Sequence, residues 1–203
     1  MPIIAGNARL GVSQGSSLMA EAKTPSPLEG GTADIAQASQ LCTDCGLCCT
    51  GVVHDAGVLD ADEVAPAAEL GLKLLPESVR TGWTFPCAAL QGTLCGIFGR
   101  RPRCCSRYKC QVLVEMLEGT LPVDEAVART RQALRLFADM LAVRPDYLSI
   151  YDTKVMAKNG LWTPALRDVA IKATALQRYV DRYFRKPTEA KLLPPAEPDT
   201  ADE

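Results

Sequence analysis

The chain has one histidine, His54, and its aromatic residues make up only 5% of 203 positions. So few rings leave little to stack on nucleic-acid bases. The formal net charge is -2, which gives no field of one sign to draw in nucleic acid or an anionic membrane. No apolar run approaches the roughly 20 residues that a membrane-spanning helix needs. There is no Ser/His/Asp set, no Gly-rich phosphate loop and no oxygen-ligand calcium loop. The first forty residues lack a basic start followed by an apolar stretch of roughly 7–15 residues. The expectation is a cytoplasmic protein with neither nucleic-acid nor membrane partners.

Cysteine is absent from residues 1–41 and 111–203, yet nine cysteines fall between Cys42 and Cys110. They run Cys42-x2-Cys45-x2-Cys48-Cys49, then Cys87 and Cys95, then Cys104-Cys105-x4-Cys110. In a reducing compartment such a set serves as metal ligands or redox groups rather than disulfides, and an odd count argues against full pairing. Buried inert thiols explain one or two of nine, not the cluster. A redox dithiol at Cys42 and Cys45 would need a strand before it and a helix after it, and the residues before Cys42 carry little strand signal.

Cys42, Cys45 and Cys48 are three apart, which brings three sulfurs to one side of a loop or helical turn. Three close cysteines with a remote fourth suit an iron–sulfur cluster such as [4Fe–4S]. Paired knuckles completed by later cysteines suit structural zinc. The spacing leaves zinc and iron both open. Neighbours Cys48 and Cys49 are expected to point apart, serving two metals or leaving one behind the site. His54 is a weaker ligand candidate, more simply a loop histidine. Trp83 and Trp162 read as core anchors.

Residues 1–38 and 187–203 read as disordered tails, rich in Gly, Ser and Pro. Between them lies one domain, 39–186, with a cysteine region at 39–120 and a helical hairpin at 121–186. The expected fold is mainly α: irregular cysteine-rich loops with at most a short hairpin near 87–98, packed on two long helices near 122–144 and 163–185. Asp60 to Glu63 reads as a capping box and Gly71 as that helix's stop, with Pro66 marking a kink or later start. A short helix is expected from Cys110 to Leu117. Val123, Val127, Leu134, Phe137 and Leu141 form one apolar stripe; Leu166, Val169, Ala173, Leu176, Val180 and Tyr183 form another. Thr163-Pro164 starts the second long helix. Residues 146–162 give no clear signal, with a strand or a helix end at Tyr147 to Tyr151.

The combined pattern Cys42-x2-Cys45-Gly46-x-Cys48-Cys49, Cys87-x2-Leu90, and Cys95-x-Ile97-Phe98-x2-Arg101-Pro102-x2-Cys105-x2-Tyr108-x-Cys110 resembles the YkgJ-type cysteine-cluster family. That family is described as a zinc- or iron-chelating CxxCxxCC domain, and the motif recurs in flagellin lysine-N-methylase. The resemblance covers about residues 40–110. It implies metal binding by Cys42, Cys45, Cys48, Cys49, Cys87, Cys95, Cys105 and Cys110. Cys104 stands where the family carries an apolar residue, and Ser106 where it carries Arg, so Cys104 is expected to point away.

The leading functional reading is a soluble metal-binding protein that ligates an iron–sulfur cluster or zinc, with an accessory redox role. The alternatives are a zinc-stapled module for a protein partner and an enzyme related to the methylase. Sulfurs within about 4 Å of two others are expected at the site, since Zn–S bonds are near 2.3 Å. Arg100, Arg101, Arg103, Arg107 and Lys109 crowd beside the last cysteines. Arg101 or Arg107 is expected to offset thiolate charge. Loss of metal, or Cys45→Ser or Cys95→Ser, is expected to loosen the whole domain.

Overall fold

The computed structural model describes residues 34–186, except residue 77. The expected tails at 1–33 and 187–203 lie outside the described residues. Helix α1 spans Ile35–Cys45, across the expected boundary at 39. Its start is fixed by a capping box in which Asp34 accepts from the Gln37 amide (2.7 Å) and Gln37 accepts from the Asp34 amide (3.0 Å). That satisfies two otherwise orphaned donors.

The fold is mostly helical. A one-turn helix α2 (Leu47–Thr50) follows, then strand β1 (Ala56–Val58). The capping box at Asp60 and Glu63 forms as expected, starting a 3-10 turn at Ala61–Glu63 that leads into α3 (Val64–Glu69). Pro66 sits in the first turn of α3, where its missing N–H costs nothing, so the later start is the outcome rather than a kink. Strand β2 (Gly82–Thr84) pairs antiparallel with β1, a second small sheet that the sequence did not suggest. The hairpin expected near 87–98 is present as β3 (Leu90–Gln91) and β4 (Leu94–Cys95). Helix α4 covers Arg103–Arg107, and α5 covers Gln111–Leu117 as expected.

Among the described residues, the C-terminal part holds the two long helices expected and a third, shorter one between them. These are α6 (Val123–Leu141), α7 (Ile150–Asn159) and α8 (Arg167–Tyr183). Helix α7 fills the stretch that gave no clear signal. Its own capping box, with Ser149 and Asp152 bonded reciprocally, starts it at Ile150. Helix α8 packs on both α6 and α7. The buried line of α6 is Ala126, Thr130, Ala133 and Met140. The larger Val123, Val127, Leu134 and Phe137 flank it half-buried, and Leu141 is exposed. The face is rotated from the expected stripe because small residues let helices approach closely. On α8 the expected Val169, Ala173, Leu176 and Val180 are buried, joined by Gln177 and Asp181.

Buried side chains form two cores. The larger draws on α1, α2, α5, α6, α7 and α8, from Leu41 and Leu47 to Phe184. The smaller consists of Leu59, Ala67, Leu72 and Trp83, with Cys87, Cys104 and Cys105 packed against it. Trp83 is a core anchor as expected, and Trp162 packs at the margin of the larger core.

Candidate metal centre

Three chain segments supply the thiols. Cys42 and Cys45 lie in the last turn of α1, one above the other at a spacing that shares a helix face. Gly46 then takes the left-handed conformation, φ 64°, and its N–H bonds the Cys42 carbonyl. That turn starts α2 in a new direction, with Cys48 and Cys49 on it. A side chain at 46 would meet the Thr93 backbone at 2.9 Å, so glycine also lets the hairpin tip touch the first thiol segment. The sulfurs of Cys48 and Cys49 are 4.0 Å apart. They do not point apart, as neighbours in an extended chain would, because α2 is helical.

The second segment is stitched to the first by the Cys87 amide, which donates to the Cys49 carbonyl at 2.8 Å. Cys95 ends β4 opposite Leu90. The third segment turns at Pro102, whose carbonyl accepts from the amides of Cys105 and Ser106. Cys110 takes the N-cap position of α5, with the amides of Leu113 and Val112 beside its sulfur favouring the thiolate.

Electrostatic coupling shows which sulfurs are neighbours. The charge of Cys49 raises the thiols of Cys42, Cys45, Cys87 and Cys105. Cys110 is coupled to Cys45 and Cys42, Cys95 to Cys87, and Cys48 to both Cys49 and Cys105. The segments that carry them pack together, with α1 against β4 and α5 and the Cys87 amide bonded to the Cys49 carbonyl. The packing is looser than expected: among the described residues, no three His, Cys, Asp or Glu side chains stand ready to grip an ion.

Burial raises several of these thiols. It pushes Cys45 up to about 12 and Cys110 up to about 11, and it raises Cys42 and Cys87. Cys49 is raised first by its bond with Cys48 and then by burial. Cys104 and Cys105 share a thiol–thiol hydrogen bond that lowers Cys104 and raises Cys105. Cys105 interacts with Cys48 and Cys49, whereas Cys104 lies by the Val58 backbone and Glu63. Cys104 thus lies by β1 and beside the Cys105 thiol.

The basic run divides its work. Arg101 pulls down the thiols of Cys42 and Cys49 and stacks over the Phe98 ring at 3.9 Å. Arg103 instead pairs with Asp60 at 2.9 Å and Asp62 at 2.5 Å, and its amide donates to Glu63 at 2.8 Å. This ties the third thiol segment to the start of α3. Arg100, Arg107 and Lys109 are exposed. The His54 ring packs edge-on against Tyr108, with centroids 4.4 Å apart.

Sequence reasoning missed the group that holds the loop after Cys49. Arg185, 2% exposed, donates from Nε to the Val53 carbonyl at 2.8 Å and from Nη2 to the Val52 carbonyl at 2.7 Å. Asp181 pairs with its other arm, and Gln177 bonds both Arg185 and the Val52 carbonyl. Lys154 of α7 donates to the carbonyls of Gly51 (2.7 Å) and His54 (3.0 Å) and pairs with Asp55 at 2.5 Å. A signal existed: residues 177, 181 and 185 repeat every four positions along the apolar face of α8. A buried turn with open carbonyls needs such donors.

A set of soft sulfur donors, half-buried and drawn from three segments with a cation beside them, fits a thiophilic metal and suits neither calcium nor magnesium. Residues 41–128 match the model of the CxxCxxCC family, described as a putative zinc- or iron-chelating domain. The match ends within α6, so the rest of α6, α7 and α8 lie beyond it. No curated protein and no solved structure matches the chain. Among the described residues, no helix is long and apolar enough to cross a membrane.

Proposed function

We propose that the protein carries a resident zinc or iron–sulfur centre held by thiolates drawn from Cys42, Cys45, Cys48, Cys49, Cys87, Cys95, Cys105 and Cys110. The observation that supports this reading is the packing of three thiol-bearing segments on one another, with α1 against β4 and α5 and the Cys87 amide bonded to the Cys49 carbonyl. Four thiolates on Zn²⁺, or on an oxidised [4Fe–4S] core, leave a charge near -2, which a guanidinium and nearby amides offset. A bound metal replaces the protons that burial now keeps on the sulfurs. Zinc would make the centre a staple for the small core. An iron–sulfur cluster would add an electron-transfer role.

The test is purification without oxygen, elemental analysis and a visible spectrum. Stoichiometric zinc with no colour supports the staple. Iron with inorganic sulfide and broad visible absorption supports the redox role. A chain that retains neither, and takes up neither when reconstituted, overturns the proposal.

A further inference from the structure

Trp83 is 1% exposed, and its indole nitrogen is buried without an oxygen or nitrogen acceptor. Leaving such a donor unpaired costs about 1–3 kcal/mol, which a phenyl ring at the same place would avoid. The surroundings are specific. Trp83 sits in β2 opposite Gly57, and any side chain at 57 would meet the indole ring at 2.2 Å. Phe85 packs edge-on against it, with centroids 6.0 Å apart. The rest of this core includes Cys87, Cys104 and Cys105. The ring is thus fixed on several sides, with its one polar atom inside a sulfur-lined core.

We propose that Trp83 is a positioning residue of the metal centre, its indole N–H donating to the Cys87 sulfur when that sulfur is a metal-bound thiolate. A thiol is a weak acceptor; a thiolate is a charged and much stronger one. The donor therefore has a poor partner in the metal-free protein and a good one in the loaded protein. Cys87 follows Trp83 closely in the chain, packs against the core that Trp83 centres, and is tied through its amide to the Cys49 carbonyl. A hydrogen bond of this kind orients a ligand and raises metal affinity, as partners behind first ligands commonly do. The inference rests on the proposed thiolate centre.

The experiment uses full-length protein labelled with ¹⁵N at its two indoles and loaded with ¹¹³Cd²⁺ in place of the native metal. Trp162→Phe assigns the Trp83 resonance without disturbing Trp83. The expected result is an indole proton that moves on loading and shows scalar coupling to cadmium, while the Trp162 indole stays put. In a chelator competition for Zn²⁺, Trp83→Phe should weaken binding about 10-fold or more, with the Trp162→Phe protein unchanged. A core filler would behave alike in loaded and stripped protein. Cadmium held by the cysteines with an unmoved, uncoupled Trp83 indole overturns this inference alone. A wild-type chain whose thiols take up no cadmium overturns the thiolate centre and this inference together. The indole measurement stands on wild-type and Trp162→Phe protein even if Trp83→Phe folds poorly.

Discussion

The core beneath α6 and α8 is closed by sixteen buried apolar side chains, while the one around Trp83 has four, among the described residues. Burying a large apolar side chain is worth about 1.5–3 kcal/mol. Ordering each residue's backbone costs about 1–2 kcal/mol. Four side chains cannot offset the ordering of the long, loop-rich stretch from β1 to α4. Val64, Phe85, Ala89 and Ile97 pack against the small core half-buried, together with Cys87, Cys104 and Cys105. The helical half is held by a broad apolar core, the other half by a thin one. The two halves meet at residues 51–54, where Arg185, Gln177 and Lys154 reach across to backbone carbonyls.

The largest way to break this comparison is to strip the metal, since binding by small zinc domains is worth on the order of 10 kcal/mol. Hydrogen exchange on loaded and stripped protein should show residues 56–107 losing protection while α6 and α8 keep theirs. Cys95→Ser should act in the same direction. The sequence alone suggested loosening of the whole domain; two separate cores narrow that expectation to one half. Equal loss of protection across both would show that they unfold as one.

Next in size is the join. Arg185→Met leaves Asp181, with a side chain 0% exposed, as a buried charge without its guanidinium. The cost should be about 3–5 kcal/mol, read as a lower urea midpoint. Adding Asp181→Leu should recover much of it, because two apolar residues leave no lone charge.

Gly57→Ala probes the small core without touching a sulfur. The added carbon must displace the Trp83 ring or strand β1, at about 1–3 kcal/mol. Trp83 emission should shift to the red while helix content by circular dichroism holds.

The smallest effect is set by pH. An unfolded thiol titrates near 9.0, while Cys45 titrates near 12 and Cys110 near 11 in the folded chain. Above pH 9 the folded state holds protons that the unfolded state has released. Stability of the stripped protein should therefore be flat below pH 9 and fall as pH climbs from 9 toward 11–12. By pH 10 the loss should be about 1 kcal/mol per thiol, read from urea melts. Metal affinity should move the opposite way, rising with pH as bound thiols shed protons.

Local signals carried much of this fold into the sequence. The boxes at Asp60, the Thr163-Pro164 start and the apolar stripe of α8 all read correctly, because each depends on near neighbours. Strand β1 did not, since three residues pair only once Gly82–Thr84 arrives from further along. Helix α7 was hidden by a weakly amphipathic sequence whose Lys154 turns inward to serve distant carbonyls. The thiol segments were legible from spacing. The family pattern set Cys104 apart from Cys105; in the structure Cys104 lies by Val58 and Glu63 as well as beside the Cys105 thiol, which also neighbours Cys48 and Cys49. The link between Arg103 and the acids at 60–63 spans about forty residues and leaves no periodic trace.

The grip of Arg185 on Val53 has a consequence in time. The two residues are 132 positions apart, and ribosomes add roughly 5–20 residues per second. The loop beyond Cys49 therefore waits roughly 7–26 s for the guanidinium that pins it. The turn that follows the first four thiols is thus among the last parts of the fold to be fixed, because its donor lies beyond the end of α8.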